Sequence, residues 1–346
     1  MQIQNKKIGF NNPAFIIAEA GINYNNKLSL AFKMIDIAKK VGANAIKFQT
    51  FKAKNIQLSN SVKPKYQNKL KEKNYFEIIK KLEPSFEDQT KIFNYCNKKN
   101  IIFLSTPYDK ESVDFLDSIG ISAFKISSSD LTNHPFLEYV SSKKKPIILS
   151  SGLSTQNHVD QAIKLLLKKN LKNNLILLQA TSDYPTPNID VNLRVISSFK
   201  NKYKIPVGLS DHTKNSIASL GAIAMGACMI EKHFTLRRTL SGPDQKASME
   251  PNELLEWIKE IRIMEHSLGN SKKFITNSEK RNLSMRKIVV LKPIKKGQKI
   301  TKNSILTMRG NKNGILPLND NLKKIIGKTA TKNISKPTQF SWKMID

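Results

Sequence analysis

The chain has 346 residues, enough for one large domain with a smaller companion, and 39% of it is hydrophobic, so a buried core is expected. Its formal charge is +31, yet only seven of the 58 basic residues are Arg and the lysines are dispersed. A nucleic-acid site concentrates guanidinium groups with aromatic residues on one face, so this charge reads as solvated surface rather than a dedicated nucleic-acid patch, and a polyanion-binding protein is the rival that charge alone suggests. Two cysteines, Cys96 and Cys228, are too few for a disulfide framework, and no zinc-ligand spacing is present. Residues 1–10 lead into no signal-peptide core, and the longest apolar run, 217–230, is short and glycine-containing for a membrane span. A soluble, cytoplasmic protein is expected.

Short apolar runs of strand length alternate with stretches of helical period. In chain order the pattern predicts a strand at 14–20, a helix at 28–41, a strand at 44–51, a helix at 86–99, a strand at 101–106 and a helix at 110–119. Strands at 123–127 and 146–151, a helix at 157–169, strands at 175–181 and 206–210, a helix at 215–226, a strand at 229–235 and a helix at 252–267 follow. Eight strands with interleaved helices over roughly 265 residues have the size and rhythm of a closed parallel (β/α)8 TIM barrel, an α/β fold. The alternative, an open doubly wound sheet, would want a glycine-rich first turn, and Ala20-Gly21-Ile22-Asn23 does not supply one. The reading divides the chain into a barrel at 1–268, a polar linker at 269–285 and a second domain at 286–346. Strand signals at 287–291 and 305–308 around a Gly297 turn make that second domain β-rich, with a core small enough that it is expected to dock on something.

In a parallel barrel, chemistry gathers at the carboxyl ends of the strands. There the predicted strands carry Glu19; Lys47 and Gln49; Ser105 and Thr106; Lys125 and Ser127 to Asp130; Ser150 and Ser151; Thr181 to Tyr184; Ser210 to Thr213; and Glu231, Lys232, His233 and Thr235. A strand-terminal Ser or Thr is ordinarily a turn or helix cap. Lys47 and Lys125 differ, because an ammonium inside an apolar run is costly unless it meets an anion. The substrate is therefore expected to be acidic. His212 and His233 close consecutive strands and would face each other across one rim. Two such imidazoles suit a divalent ion such as Mn²⁺, and they equally suit hydrogen-bonded core histidines. His134, His158 and His266 fall in helical or loop context and are taken as structural. In the loop at 241–251, Asp244 either holds substrate hydroxyls or makes an Asx turn.

Nine motifs carry a likeness that spans nearly the whole chain. They are Ile17-Ala18-Glu19-Ala20-Gly21-Ile22-Asn23, Lys47-Phe48-Gln49-Thr50, Phe103-Leu104-Ser105-Thr106-Pro107, Ala123-Phe124-Lys125-Ile126, Pro146-Ile147-Ile148-Leu149-Ser150, Tyr184-Pro185-Thr186-Pro187, Gly208-Leu209-Ser210-Asp211-His212-Thr213, Ile230-Glu231-Lys232-His233-Phe234-Thr235 and Gly242-Pro243-Asp244. Together they resemble the N-acetylneuraminate (sialic acid) synthases and their relatives that make other nonulosonic acids. The resemblance implies a TIM barrel joined to a small antifreeze-like (SAF) domain, in a domain-swapped homodimer whose small domain covers the partner's active site. It implies that phosphoenolpyruvate condenses with an open-chain N-acylated amino sugar such as N-acetylmannosamine, releasing phosphate and giving N-acetylneuraminate or a related nine-carbon 2-keto acid. Legionaminate or pseudaminate synthesis differs only in the sugar accepted. A different phosphoenolpyruvate-dependent aldose-condensing enzyme would need a second phosphate site, of which the sequence shows no sign.

The same resemblance implies a divalent metal, Mn²⁺ or Mg²⁺, held by His212 and His233 and polarising the sugar aldehyde. Thr106, Lys125, Ser128, Ser150 and Ser210 match the positions that hold phosphoenolpyruvate, and Lys47 lies beside the bond being made. Glu19, Gln49, Tyr184 and Asp244 match those that hold the sugar, Glu19 serving as proton shuttle or as hydroxyl anchor. Arg309 matches an arginine that reaches the N-acyl group across the dimer. Three departures stand out. Asp130, expected to contact the sugar, occurs where the family usually has Glu; Gln179-Ala180-Thr181-Ser182 replaces the commoner His-Cys start and Asn contact; and the segment from Arg309 to Ile315 is one residue longer than usual and lacks Pro.

Overall fold

The structure, a computed structural model, describes residues 1–60, 74–169, 172–281 and 284–346. The chain forms two units, Met1–Gly269 and Asn270–Asp346. The first opens with a hairpin, β1 (Gln2–Ile3) and β2 (Lys6–Lys7), and continues into eight parallel strands that close on themselves. These are β3 (Phe15–Gly21), β4 (Ala45–Thr50), β5 (Ile102–Pro107), β6 (Phe124–Ile126), β7 (Ile147–Ser150), β8 (Leu175–Ala180), β9 (Val207–Asp211) and β10 (Met229–His233), the last pairing back onto β3. Helix α1 (Leu28–Lys40) follows β3; α2 (Ala53–Ile56), α3 (Tyr75–Leu82) and α4 (Phe86–Lys98) follow β4. One helix then follows each later strand: α5 (Lys110–Ser118), α6 (His134–Ser142), α7 (Gln156–Lys168), α8 (Arg194–Tyr203), α9 (Ile217–Ala224) and α10 (Pro251–Leu268).

Every expected strand is present, with its ends within two residues of the predicted ones. Sequence periodicity assigned no helix at α3, α6 or α8. In α3 and α8 the apolar stripe is too short to show a period, α3 burying only Ile78 and Ile79 and α8 only Ile196 and Phe199, whereas α6 buries Phe136, Leu137 and Val140 at helical spacing. Capping chemistry starts several helices, with Ser85 accepting from the Asp88 N–H and Asp109 from the Ser112 N–H. His158 serves in the same way: its Nδ1 accepts from the Thr155 N–H at the start of α7, so its structural reading stands.

Alternation along the strands sorts the side chains into two sets. Ile16, Ala18, Ile46, Phe48, Leu149, Leu177, Leu209 and Ile230 face the helices in the larger core. Phe15, Ile17, Ala45, Leu104, Ile148, Leu178 and Met229 point the other way and fill the lower barrel together with Ile3 of the hairpin. Gly208 belongs to this inner set, and only a glycine fits, since a Cβ there would lie 2.3 Å from the Met229 carbonyl oxygen and 2.6 Å from Leu178. Two residues further along every barrel strand except β8, which continues with Ala180, the inner set turns polar, and that change builds the site.

The second unit is an antiparallel sheet of β11 (Arg286–Val290), β12 (Ile305–Arg309) and β13 (Thr338–Gln339), with β11 in the centre. Ile288, Val290, Ile294, Ile300, Ile325, Ile334 and Phe340 form its own core. The expected linker contains a short helix, α11 (Asn277–Arg281), and residues 282 and 283 lie outside the described residues. No described residue from Gly269 to Met285 is buried. Both cysteines are free and buried, and among the described residues no helix is long and apolar enough to cross a membrane.

Candidate active site

A cavity of about 410 Å³ opens at the carboxyl ends of the barrel strands. Its floor is the polar continuation of the inner set: Glu19 above Ile17, Lys47 above Ala45, Thr106 above Leu104, Lys125 above Ala123, Ser150 above Ile148, and Glu231 then His233 above Met229. Ser128, Ser129, Ser182, Tyr184, Pro243 and Asp244 rise from the loops around it, and Ile22, Tyr75, Ile79 and Leu153 supply an apolar flank.

Two ammoniums and two carboxylates lie at its base. Lys47 Nζ is 2.7 Å from Glu19 and 3.7 Å from Glu231, and it donates to the Thr106 hydroxyl at 3.0 Å. Lys125 Nζ is 4.0 Å from Glu231 and donates to Ser150 Oγ at 2.5 Å and to the Ile126 carbonyl at 3.0 Å. Burial alone would lower Lys47, but Glu19 and Glu231 outweigh it and raise its pKa. For Lys125 burial, reinforced by repulsion from Lys47, outweighs the pull of Glu231 and Glu19 and brings it down to about 8. The carboxylates divide in the same way. Burial pushes Glu19 up, with Lys47 opposing, whereas for Glu231 the pull of Lys125 and Lys47 exceeds the burial penalty and holds it low. The base of the cavity thus carries a firmly ionised Glu231 beside a Glu19 that protonates readily.

His212 and His233 face each other with ring centroids 5.5 Å apart, and Tyr184 packs on His212 at 4.2 Å. Burial keeps both imidazoles below their usual pKa, hence neutral at pH 7. His212 Nδ1 donates to the Thr181 carbonyl at 2.6 Å, which sets the tautomer and puts the lone pair on Nε2, 3.3 Å from Ser210 Oγ. His233 Nδ1 is buried without a hydrogen-bond partner among the described residues. An orphaned buried nitrogen beside a second neutral imidazole, with Glu231 adjacent, is a donor set that fits a divalent ion. Among the described residues no group of three His, Cys, Asp or Glu ligands is assembled, so water or substrate oxygens would complete the shell.

Of the residues expected from sequence, Glu19, Lys47, Gln49, Thr106, Lys125, Ser128, Ser150, Tyr184, Ser210, His212, His233 and Asp244 all line this one cavity. Two do not. Asp130 lies on the turn after β6 outside the cavity lining, its carboxylate accepting from Asn133 at 3.2 Å, because the short side chain turns to its own helix cap. Arg309 is exposed on β12 of the second unit, opposite Arg286. Sequence reasoning gave no role to Glu231, although its spacing of two from His233 puts both on the inner face of β10. Ser210 donates to Glu231 at 2.9 Å.

A (β/α)8 barrel with paired lysines, a bank of hydroxyls and two neutral histidines at its carboxyl rim has the make-up of an enzyme. Residues 34–273 match the NeuB family. The chain is 41% identical over 323 residues to an N,N'-diacetyllegionaminic acid synthase of Campylobacter jejuni, covering 92% of this chain and 96% of that one. It is 38% identical over 348 residues to the Legionella pneumophila enzyme of the same name, covering 99% and 97%. A crystal structure of N-acetylneuraminic acid (sialic acid) synthetase from Leptospira borgpetersenii in complex with citrate superposes with a TM-score of 0.72 at 36% identity, covering 82% of this chain and 94% of that one. The chain belongs to the NeuB family, and with it to the nonulosonic acid synthases, enzymes that form a carbon–carbon bond.

Proposed function

We propose that the chain condenses phosphoenolpyruvate with an open-chain N-acylated amino sugar and water, giving inorganic phosphate and a nine-carbon 2-keto acid. The observation that carries this reading is the pair of buried ammoniums, Lys47 and Lys125, in a cavity where the hydroxyls of Thr106, Ser128, Ser150 and Ser210 gather around them. Lys125, Thr106, Ser128, Ser150 and Ser210 hold the phosphate and carboxylate of the three-carbon substrate, offering charge-assisted hydrogen bonds in a site shielded from water. Carbon three of the enol attacks the sugar aldehyde, water adds at carbon two, and the resulting hemiketal expels phosphate by carbon–oxygen cleavage. Lys47 stabilises the charge that moves through that centre. Glu19, whose carboxyl burial keeps easily protonated, exchanges the proton at the aldehyde oxygen. Gln49, Tyr184 and Asp244 hold the sugar, and Ile22, Ile79 and Leu153 face its N-acyl methyl. A divalent ion, Mn²⁺ or Mg²⁺, bound by His212 and His233 would supply Lewis acidity at the aldehyde.

Likeness to two diacetyllegionaminic acid synthases over nearly their full lengths favours a diacetylated amino sugar, with N-acetylmannosamine the second candidate. The second unit is assigned as an SAF domain and the protein as a cytoplasmic homodimer, with Arg309 serving the N-acyl group. Exposed apolar side chains between strand and helix, Leu153 at 76% and Ile189 at 90%, and at the start of α9, Ile217 at 65%, support a second copy covering that rim. The test is to incubate the protein with Mn²⁺, phosphoenolpyruvate and a panel of N-acylated hexosamines, following phosphate and the mass of the keto acid. Phosphate release with one sugar and the matching mass is expected; no release with any sugar removes the proposal.

A further inference from the structure

Four side chains that the reaction above does not use form a buried polar cluster where β10 meets β3: Asn23, Thr235, Gln245 and Ser248, none more than 2% exposed. Gln245 Nε2 donates to the Asn23 backbone carbonyl at 2.8 Å, and Gln245 Oε1 accepts from the Thr235 hydroxyl. Asn23 Nδ2 donates both to the Phe234 carbonyl and to Ser248 Oγ, each at 2.9 Å. The Ser248 hydroxyl in turn donates to the Asp244 carbonyl at 2.7 Å, and the Ala247 N–H donates to the same oxygen at 3.2 Å. Joining β10 to α10 requires none of these bonds. Asn23 Oδ1 alone among the side-chain polar atoms of these four residues has no partner among the described residues; buried amides and hydroxyls are costly unless paired, so a cluster paired at every other atom specifies one loop conformation.

That conformation places Pro243 and Asp244 against the cavity. Among the described residues nothing donates a hydrogen bond to the Asp244 carboxylate, which leaves both of its oxygens for a ligand. Burial also pushes this carboxyl up to about 6. The groups assigned to phosphoenolpyruvate, by contrast, stand mostly on strands β5, β6, β7 and β9, whose geometry the barrel itself sets. We infer that Asn23, Gln245 and Ser248 are positioning residues that hold Asp244 against the sugar, so that sugar recognition depends on them and phosphoenolpyruvate binding does not. This rests on the function proposed above.

The test uses Gln245→Met and the milder Ser248→Ala, alone and combined with Asp244→Ala. Gln245→Met is expected to raise the sugar KM on the order of ten- to a hundredfold while the phosphoenolpyruvate KM stays within about twofold. In the Asp244→Ala protein the same change should add less than about twofold, because the carboxylate it serves is gone. Ser248→Ala should reproduce the split at smaller size. Equal rises in both KM values, or the full factor persisting without Asp244, overturn the inference. Hydrogen exchange gives a readout independent of turnover: the Ala247 and Ser248 amides should exchange at least about tenfold faster in Gln245→Met, with barrel-strand amides unchanged. Unchanged exchange at those amides overturns the inference even in an active enzyme. Faster exchange in a protein that releases no phosphate with any sugar upholds the pinning and removes the proposed function instead.

Discussion

Lys232 and Asp211 form an ion pair of 2.9 Å on the outer face of β10 and β9, the strands whose inner faces carry His233 and Ser210. Asp211 also accepts from the Ser219 hydroxyl at 2.5 Å, and Ser219 accepts from the Trp257 indole at 3.0 Å. Lys232 donates to the carbonyls of Thr213 and Asn215 at 2.8 and 3.1 Å. The pair therefore clamps the segment just after His212 onto the helix layer, and holds one imidazole from behind.

Breaking such a pair on one side strands a charge in the core. Asp211→Ala is expected to destabilise the barrel by about 3–5 kcal/mol, because the Lys232 ammonium is left buried and unpaired. Replacing both residues together, as Asp211→Leu with Lys232→Met, should recover most of that loss. Urea unfolding measures both. A single-variant loss below about 1 kcal/mol would show that the clamp lies elsewhere.

Removing Lys125 from the cavity should act on substrate affinity and rate. Lys125→Met is expected to lower kcat/KM for phosphoenolpyruvate on the order of 10²–10³-fold, the effect of deleting one aimed cationic donor in a shielded site. Lys125→Arg should not restore it, since a planar guanidinium cannot reproduce the 2.5 Å approach to Ser150 in that space. Calorimetric titration with phosphoenolpyruvate reads the affinity directly, and unchanged binding by Lys125→Met would withdraw the anion site.

The two lysine environments also explain what the sequence could and could not disclose. Lys47 and Lys125 were readable because each interrupts an apolar run, and His212 and His233 because each closes one of two consecutive strands. Lys232 interrupts its run equally well but at the opposite phase, and only the observed register places it against the helices. Glu231 has the inward phase, yet a carboxylate among cations gives no sequence pattern that separates it from a surface Glu. Asp130 went the other way: its position in a motif suggested a sugar contact, while its length allows Asn133 to capture it. Strands were found to within two residues because buried parallel strands are continuous apolar runs, whereas α3 and α8 bury too few residues to leave a period.

Lys125 should give the enzyme an alkaline limit. Burial brings its pKa down to about 8, so the ammonium that grips the substrate is lost as pH rises through that value. Phosphoenolpyruvate KM is expected to rise about tenfold per pH unit above that limb. The sign for stability is opposite. Between about 8 and the unfolded value the unfolded chain binds the extra proton, so this group makes the fold more stable as pH increases. KM against pH, set beside urea midpoints over the same range, separates the two. An alkaline limb that persists in Lys125→Met would assign it to another group.

Metal binding should be measurable without turnover. Both histidines are neutral and buried, and the unpartnered His233 nitrogen gains a ligand when an ion enters. Adding Mn²⁺ to chelator-treated protein at a hundredfold excess over its dissociation constant should stabilise the fold by about 2.7 kcal/mol, since an ion held by the assembled site binds the native state alone. His212→Ala and His233→Ala should each lose most of that increment, because each leaves a single imidazole. A control variant at an exposed histidine, His266→Ala, should keep it. If the His212→Ala and His233→Ala proteins are stabilised as strongly as the parent chain, the ion is bound elsewhere and the paired imidazoles are core residues.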